Sequence, residues 1–170
     1  MNKEKTFNAH EFKVEGAEII FKNFSGKPSD FNKAGDRNFG LILNDDIAED
    51  LKADGWNVKY LKPREDDPDQ YRRPWLHVKV KYGKIPPVVV LITSRGKTKL
   101  KEEAISQLDY ARFKNVDLIV RPYNYPEMPG RPSGISAYLK SIYVTLEEDD
   151  LEKKYGSIPD ADDMDEIPFD

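Results

Sequence analysis

Apolar residues in this chain recur mostly at every second position, in short runs separated by polar loops. Successive side chains of a strand point to opposite faces, so a period of two marks a half-buried strand. Residues 17–21, 39–43, 56–61, 75–82, 116–123 and 137–146 read as strands on this ground. The β-branched run Val88–Thr93 reads as a buried strand. Two segments read as helices. Residues 45–53 can be capped by Asn44, carry acids in the first turn, place Ile47 and Leu51 four apart, and stop before Gly55. Residues 101–110 put Ala104, Ile105 and Leu108 on one side.

Long polar loops are expected at residues 25–38 and 62–74, with a Pro- and Gly-rich connection between Pro126 and Gly134. Many short strands with few helices predict a mainly β body, a five-stranded barrel with one or two short helices and long loops. Trp56 and Tyr60, in phase with Val58, are expected in the core. Tyr138, in phase with Ile142 and Val144, is expected to be packed as well.

The length of 170 residues suits one domain. With no cysteine, disulfides and thiolate chemistry are excluded. The charged N-terminal residues resemble no signal peptide, and no apolar run is long enough to cross a bilayer, so a soluble, cytoplasmic protein is expected. The net charge of −4 hides an asymmetry. Residues 147–170 hold eleven acids against Lys153 and Lys154, a net of −9. Residues 1–146 hold 25 basic and 20 acidic side chains, a net of +5. The division predicted is a basic body, 1–146, and an acidic, flexible tail, 147–170, too poor in apolar residues to fold alone. A basic body suits a polyanionic partner if its charge gathers on one face.

The strand at 75–82 sorts its residues into two sets. Leu76, Val78, Val80 and Tyr82 share one face, and Trp75, His77, Lys79 and Lys81 share the other. The second set joins aromatic surface to cationic heads. A single nucleic-acid strand needs both, since unpaired bases stack on rings while cations displace counterions from phosphates. The same residue types occur at Arg72 and Arg73, at Arg121, Tyr123 and Tyr125, at Lys22 and Phe24, and at Arg95, Lys97 and Lys99. If these strands curl together, all of them line one groove. Against this stands the blander reading that aromatics at strand spacing are packed and outer lysines merely solvated.

Catalytic readings fall short. Gly96, Lys97 and Thr98 lie where a phosphate loop would sit, but Leu91 occupies the position of its first glycine, which leaves a basic turn. Asp30, Asp50 and Lys52 match nuclease spacings only as chance allows in so charged a chain. His10 and His77 have no neighbouring partner for a triad or a zinc site. Asp160, Asp162 and Asp163 lack the glycine and glutamate of a calcium loop. No enzyme activity, cofactor or metal is expected. A regulatory interaction module and an unrecognised nuclease remain the alternatives.

The chain ends Asp165, Glu166, Ile167, Pro168, Phe169, Asp170 after a run of acids. This resembles the tail tip of bacterial and phage single-stranded-DNA-binding proteins. Residues 21–26 and 38–40 are similar to the opening of the small phage-encoded members. The resemblance implies an oligonucleotide-binding (OB) barrel and sequence-tolerant binding of single-stranded DNA in replication, recombination or repair. It also implies a tail whose residues 165–169 recruit partner proteins, with homo-oligomers as a further expectation. Phe169 can fill a small pocket, Pro168 limits the entropy lost on docking, and Asp165 and Glu166 can pair with cations at its rim. The sequence departs from the family in that Asp170 follows Phe169, so the Asp170 carboxylates must stand in for the usual terminal one. The opposed charges of tail and body further imply that the tail covers the groove until DNA displaces it.

Overall fold

The computed structural model describes residues 9–63, 66, 67, 69, 71–148 and 154. Its strands are β1 (Phe12–Val14), β2 (Ile19–Asn23), β3 (Arg37–Ile42), β4 (Val58–Tyr60), β5 (Pro74–Val80), β6 (Val88–Thr93), β7 (Gly96–Leu100), β8 (Phe113–Tyr125) and β9 (Gly134–Leu146). The helix α1 spans Asp45–Ala53, and a 3-10 helix spans Glu102–Asp109. The mainly β body with two short helices is as expected. The strand count is not: among the described residues nine strands form one open sheet, in the order β1-β8-β9-β5-β3-β2, with β4, β6 and β7 attached beside this path.

Two strands escaped the sequence reading for separate reasons. β1 has only three residues, too few to show a period. In β7 the first four residues are all exposed, so no apolar alternation marks it before Leu100. The expected basic turn is instead a hairpin in which Thr93 pairs with Gly96.

The long strand β9 organises the sheet. It pairs antiparallel with β8 along its whole length. Its other edge is shared, parallel to β5 at Ala137 and Tyr138 and then parallel to β6 from Ser141 to Thr145. β3 lies antiparallel on the far side of β5, and β4 pairs with the start of β5. Inward side chains from these strands, among them Phe39, Leu41, Leu76, Val78, Val120, Ile135, Leu139 and Ile142, make one core.

The helices are held by the chemistry expected at their ends. Asn44 caps α1 by accepting from the Ile47 N–H at 2.8 Å. Ala48 and Leu51 form the buried side of α1 while Ile47 is exposed. The segment 102–109 is a 3-10 helix rather than an α-helix; its buried Ile105 and Leu108 are three apart, the repeat of that helix. Asp109 at its end accepts from the N–H groups of Phe24 (2.6 Å) and Ser25 (3.1 Å) and from the Ser25 hydroxyl (2.6 Å). The helix thereby fixes the point where the chain leaves β2.

Candidate nucleic-acid interface

The outer face of the sheet is set by register. β5 alternates as its sequence implies: Pro74, Leu76, Val78 and Val80 are buried, while Trp75, His77 and Lys79 face outward. Opposite them on β3 stand Ile42, Gly40 and Asn38. Opposite Lys79 on β9 stands Tyr138, and opposite Tyr138 on β8 stands Arg121. Tyr123 and Tyr125 continue the outer row of β8, facing Ser136 and Gly134. Three strands, β5, β9 and β8, therefore present cations and rings on one surface, and β3 flanks them with Ile42, Gly40 and Asn38.

At its centre, the Tyr138 ring lies parallel to that of Tyr123, with centroids 5.2 Å apart and planes 3° from coincidence. Three cations gather over Tyr138: Arg121 at 5.4 Å and Lys79 and Lys81 each at 6.0 Å from the ring centroid. These distances fall within the range of cation–π attraction. Among the described residues the enclosed Nε of Arg121 has no hydrogen-bond partner. Toward the hairpin between β8 and β9, Arg131 lies over Tyr125 at 4.7 Å. Gly134 makes room there, because a Cβ at that position would collide with the Tyr125 hydroxyl.

Trp75 is more hemmed in than a free base platform. Phe21 meets it edge-on at 5.2 Å, and the Lys59 ammonium lies over its ring at 5.4 Å. Phe21 reaches it from a bulge in β2, at a positive φ of 51° uncommon for a non-glycine residue. Gly40 admits the ring, since a Cβ there would sit 3.0 Å from Trp75 Cε3 and 2.7 Å from Ile20 Cγ1.

Two grooves run along this face and share His77, Lys79 and Tyr138. One, of about 610 Å³, is bordered by Arg37, Lys81, Tyr82 and the loop between β2 and β3. The other, of about 690 Å³, is bordered by Lys59, Tyr123, Tyr125, Met128 and Arg131. The two adjoin at His77, Lys79 and Tyr138 and are together called the trough.

His77 stands in that trough with its pKa lowered from the ordinary imidazole value. Burial is the main cause, and the positive charges of Lys59 and Lys79 add to it. The ring therefore gains its proton in a pH range lower than that of an ordinary imidazole. A phosphate beside it would favour the charged form. Lowering the pH through that range is expected to strengthen the binding of a polyanion and to weaken that response in His77→Gln. Stability of the free protein runs the other way. The unfolded chain takes up the His77 proton at a higher pH than the folded one, so stability falls as pH drops from the unfolded to the folded pKa. Affinity and urea titrations at matched pH values check the two signs separately.

Of the residues expected on one groove, Trp75, His77, Lys79, Lys81, Arg121, Tyr123 and Tyr125 share this face. The others are placed elsewhere. Phe24 is fully buried and stacked on Phe39 at 5.5 Å, so it belongs to the core. Lys22 donates to the carbonyls of Leu108 (3.0 Å) and Ala111 (2.7 Å), where a cation satisfies the open end of the 3-10 helix. Arg72 donates to the Leu61 carbonyl at 3.0 Å, and Arg73 pairs with Glu18. Arg95, Lys97 and Lys99 sit on the hairpin of β6 and β7, which joins β9 at Ser141 to Thr145, beyond Tyr138, and none borders the trough.

Tyr138 corrects the sequence reading most sharply. Its phase with Ile142 and Val144 is broken by a bulge in the pairing of β8 with β9. Ile119 faces Ser141 and Val120 faces Leu139, so Lys140 is an extra residue and the side chains before it change face. Trp56 is buried as expected and Tyr60 half-buried. Lys59 and Arg131 also join the face, without a sequence signal beyond their charge. The expected tail lies outside the described residues, apart from Glu147, Glu148 and Lys154. This includes Asp165, Glu166, Ile167, Pro168, Phe169 and Asp170.

Residues 1–168 match the family model of the phage ssDNA-binding domain. The chain belongs to this family. Its members are binding proteins rather than catalysts. The fold is similar to that of the single-stranded DNA-binding protein from bacteriophage Enc34, with a TM-score of 0.51 and 12% identity over 84% of each chain. It is similar also to the structure of that phage protein in complex with ssDNA, with a TM-score of 0.52 and 12% identity over 84% of this chain and 89% of the other. At such identity the likeness concerns the fold, which is of the OB-like type. No curated protein matches the chain. No described helix is long and apolar enough to cross a membrane.

Proposed function

We propose that this chain binds single-stranded DNA, with tolerance of sequence, in the trough over β5, β9 and β8. The arrangement at Tyr138 carries the reading: one ring stacked on a second, with Arg121, Lys79 and Lys81 around it. Unpaired bases offer π-faces to Tyr123 and Tyr138, and the three cations replace counterions along the phosphates. Duplex DNA hides its base faces and can use only the charges. Titration with fluorescent oligo-dT over a salt series tests the proposal. Salt-sensitive binding that prefers single strands to duplex supports it; binding indifferent to salt, or stronger for duplex, would falsify it.

The same reading extends to the acidic terminus. Residues 165–169 serve to recruit replication, recombination or repair proteins in the host cytoplasm, and residues 147–170 compete with DNA for the basic trough. The opposed net charges of tail and body support this. Removal of residues 147–170 tightens DNA binding at low salt and abolishes capture of such partners. Self-association belongs to the proposal too, with the open sheet edges as the available surfaces.

A further inference from the structure

The loop between β2 and β3 holds Phe31 with its side chain 100% exposed. Single exposed apolar residues are ordinary on protein surfaces. The mounting of this one is not. Three backbone carbonyls converge on the Asn32 side-chain amide: those of Lys27 (2.8 Å), Lys33 (3.0 Å) and Asp36 (3.0 Å). Its oxygen accepts from the Asn38 amide at 2.8 Å, which ties the loop to β3. Ser29 and Asn32 exchange backbone hydrogen bonds at 2.9 and 3.2 Å on either side of the tip. At the base, the Gly35 N–H donates to the Gly26 carbonyl at 2.8 Å. The closure is so tight that a Cβ on Gly26 would lie 2.9 Å from the Gly35 backbone.

These bonds fix the tip without using the Phe31 side chain, which contributes nothing to the core. The loop nevertheless places that ring at the border of the groove containing His77, Lys79, Lys81 and Tyr138. The ring therefore stands ready on a braced arm beside a cationic trough. It approaches from the β3 side of β5, across the sheet from Tyr123 on β8.

We infer that Phe31 is a base-stacking residue, taking the π-face of an unpaired base of a strand lying over Lys79 and Tyr138. Asn32 is its positioning residue. The inference rests on the single-stranded DNA reading above and adds a contact from outside the sheet. Bracing the loop in advance lowers the entropy lost when the base docks, which is the physical use of so many hydrogen bonds around an otherwise idle side chain.

The test uses the full chain and fluorescence anisotropy with labelled oligo-dT, intact or carrying one abasic site at each position in turn. Phe31→Ala is expected to weaken binding on the order of tenfold. Its salt slope stays that of the unaltered protein, because no charge is lost. Phe31→Trp restores affinity. Asn32→Ala causes a smaller loss, and Phe31→Ala with Asn32→Ala is no weaker than Phe31→Ala alone, the non-additivity expected if Asn32 acts through Phe31. One abasic position should cost the unaltered protein affinity and cost Phe31→Ala nothing. Because the side chain is wholly exposed, thermal unfolding of Phe31→Ala should match that of the unaltered protein. Salt-sensitive binding by the unaltered protein with no loss in Phe31→Ala overturns this inference and leaves the proposed function standing. So does a loss accompanied by a lower unfolding temperature. Absence of salt-sensitive binding by the unaltered protein overturns the proposed function itself.

Discussion

Replacing Lys59, Lys79, Lys81 and Arg121 together by glutamine is expected to abolish most of the salt dependence of DNA binding. All four lie on the outer face, over Trp75 or Tyr138, and the three lysines are exposed. Their removal therefore leaves the core intact. Each cation that meets a phosphate contributes about −0.7 to the slope of log K against log salt for a single strand. Four such contacts change the slope by about 2.8, so between about 50 and about 200 mM salt the unaltered protein should lose about fiftyfold more affinity than the variant. At the lowest salt the gap in affinity between the two proteins is accordingly widest.

The matched comparison is Lys79→Gln with Lys81→Gln against Lys97→Gln with Lys99→Gln. Both pairs remove two exposed lysines, but the second lies on the hairpin of β6 and β7, beyond the trough. Only the first pair should change the slope by an amount near two phosphate contacts. Equal effects from the two pairs would mean that charge acts diffusely and that the trough has no special part.

The origin of this face shows which parts of the molecule local sequence can specify. β5 was legible because its pleat turns alternation directly into two faces, and Leu76, Val78 and Val80 leave no doubt which is inward. Helix α1 was legible because its cap satisfies a backbone N–H and its first-turn acids face the positive end of the helix, all within the same few residues. Tyr138 was misplaced because a bulge is a property of two paired strands, β8 and β9, and leaves no trace in the spacing of one. Lys22 and Phe24 were misplaced for a similar reason. What captures Lys22 is the end of a helix 86 residues away, and Phe24 is held by Asp109, 85 residues on. A sequence containing a lysine and a phenylalanine two apart states nothing about those partners. Phe31 lay in a loop read only as polar; its exposure becomes informative once the bonds of Asn32 show that the loop is built.

Tyr138→Ala should produce the largest loss from any single substitution on this face. Tyr138 is half-buried and lines both grooves, so its ring is held while part of it stays exposed. Removing it deletes one stacking surface, worth about 1–3 kcal/mol per base, or roughly 5- to 160-fold in affinity. It also takes away the ring on which Tyr123 is stacked and over which Arg121, Lys79 and Lys81 converge. Those side chains keep their charge but lose the surface that aligns them. The salt slope should consequently change little while affinity falls at every salt concentration, the opposite of the quadruple glutamine variant. Tyr138→Phe retains the ring and should bind nearly as the unaltered protein does. Tyr123→Ala combined with Tyr138→Ala should cost less than the sum of the two, because the rings act as one stack. Oligo-dT titrations of the unaltered protein and of Tyr138→Ala, Tyr138→Phe, Tyr123→Ala and the double variant, each with a urea unfolding curve to confirm the fold, decide the matter. If Tyr138→Phe loses as much as Tyr138→Ala, the hydroxyl rather than the π-face makes the contact and the stacking account fails.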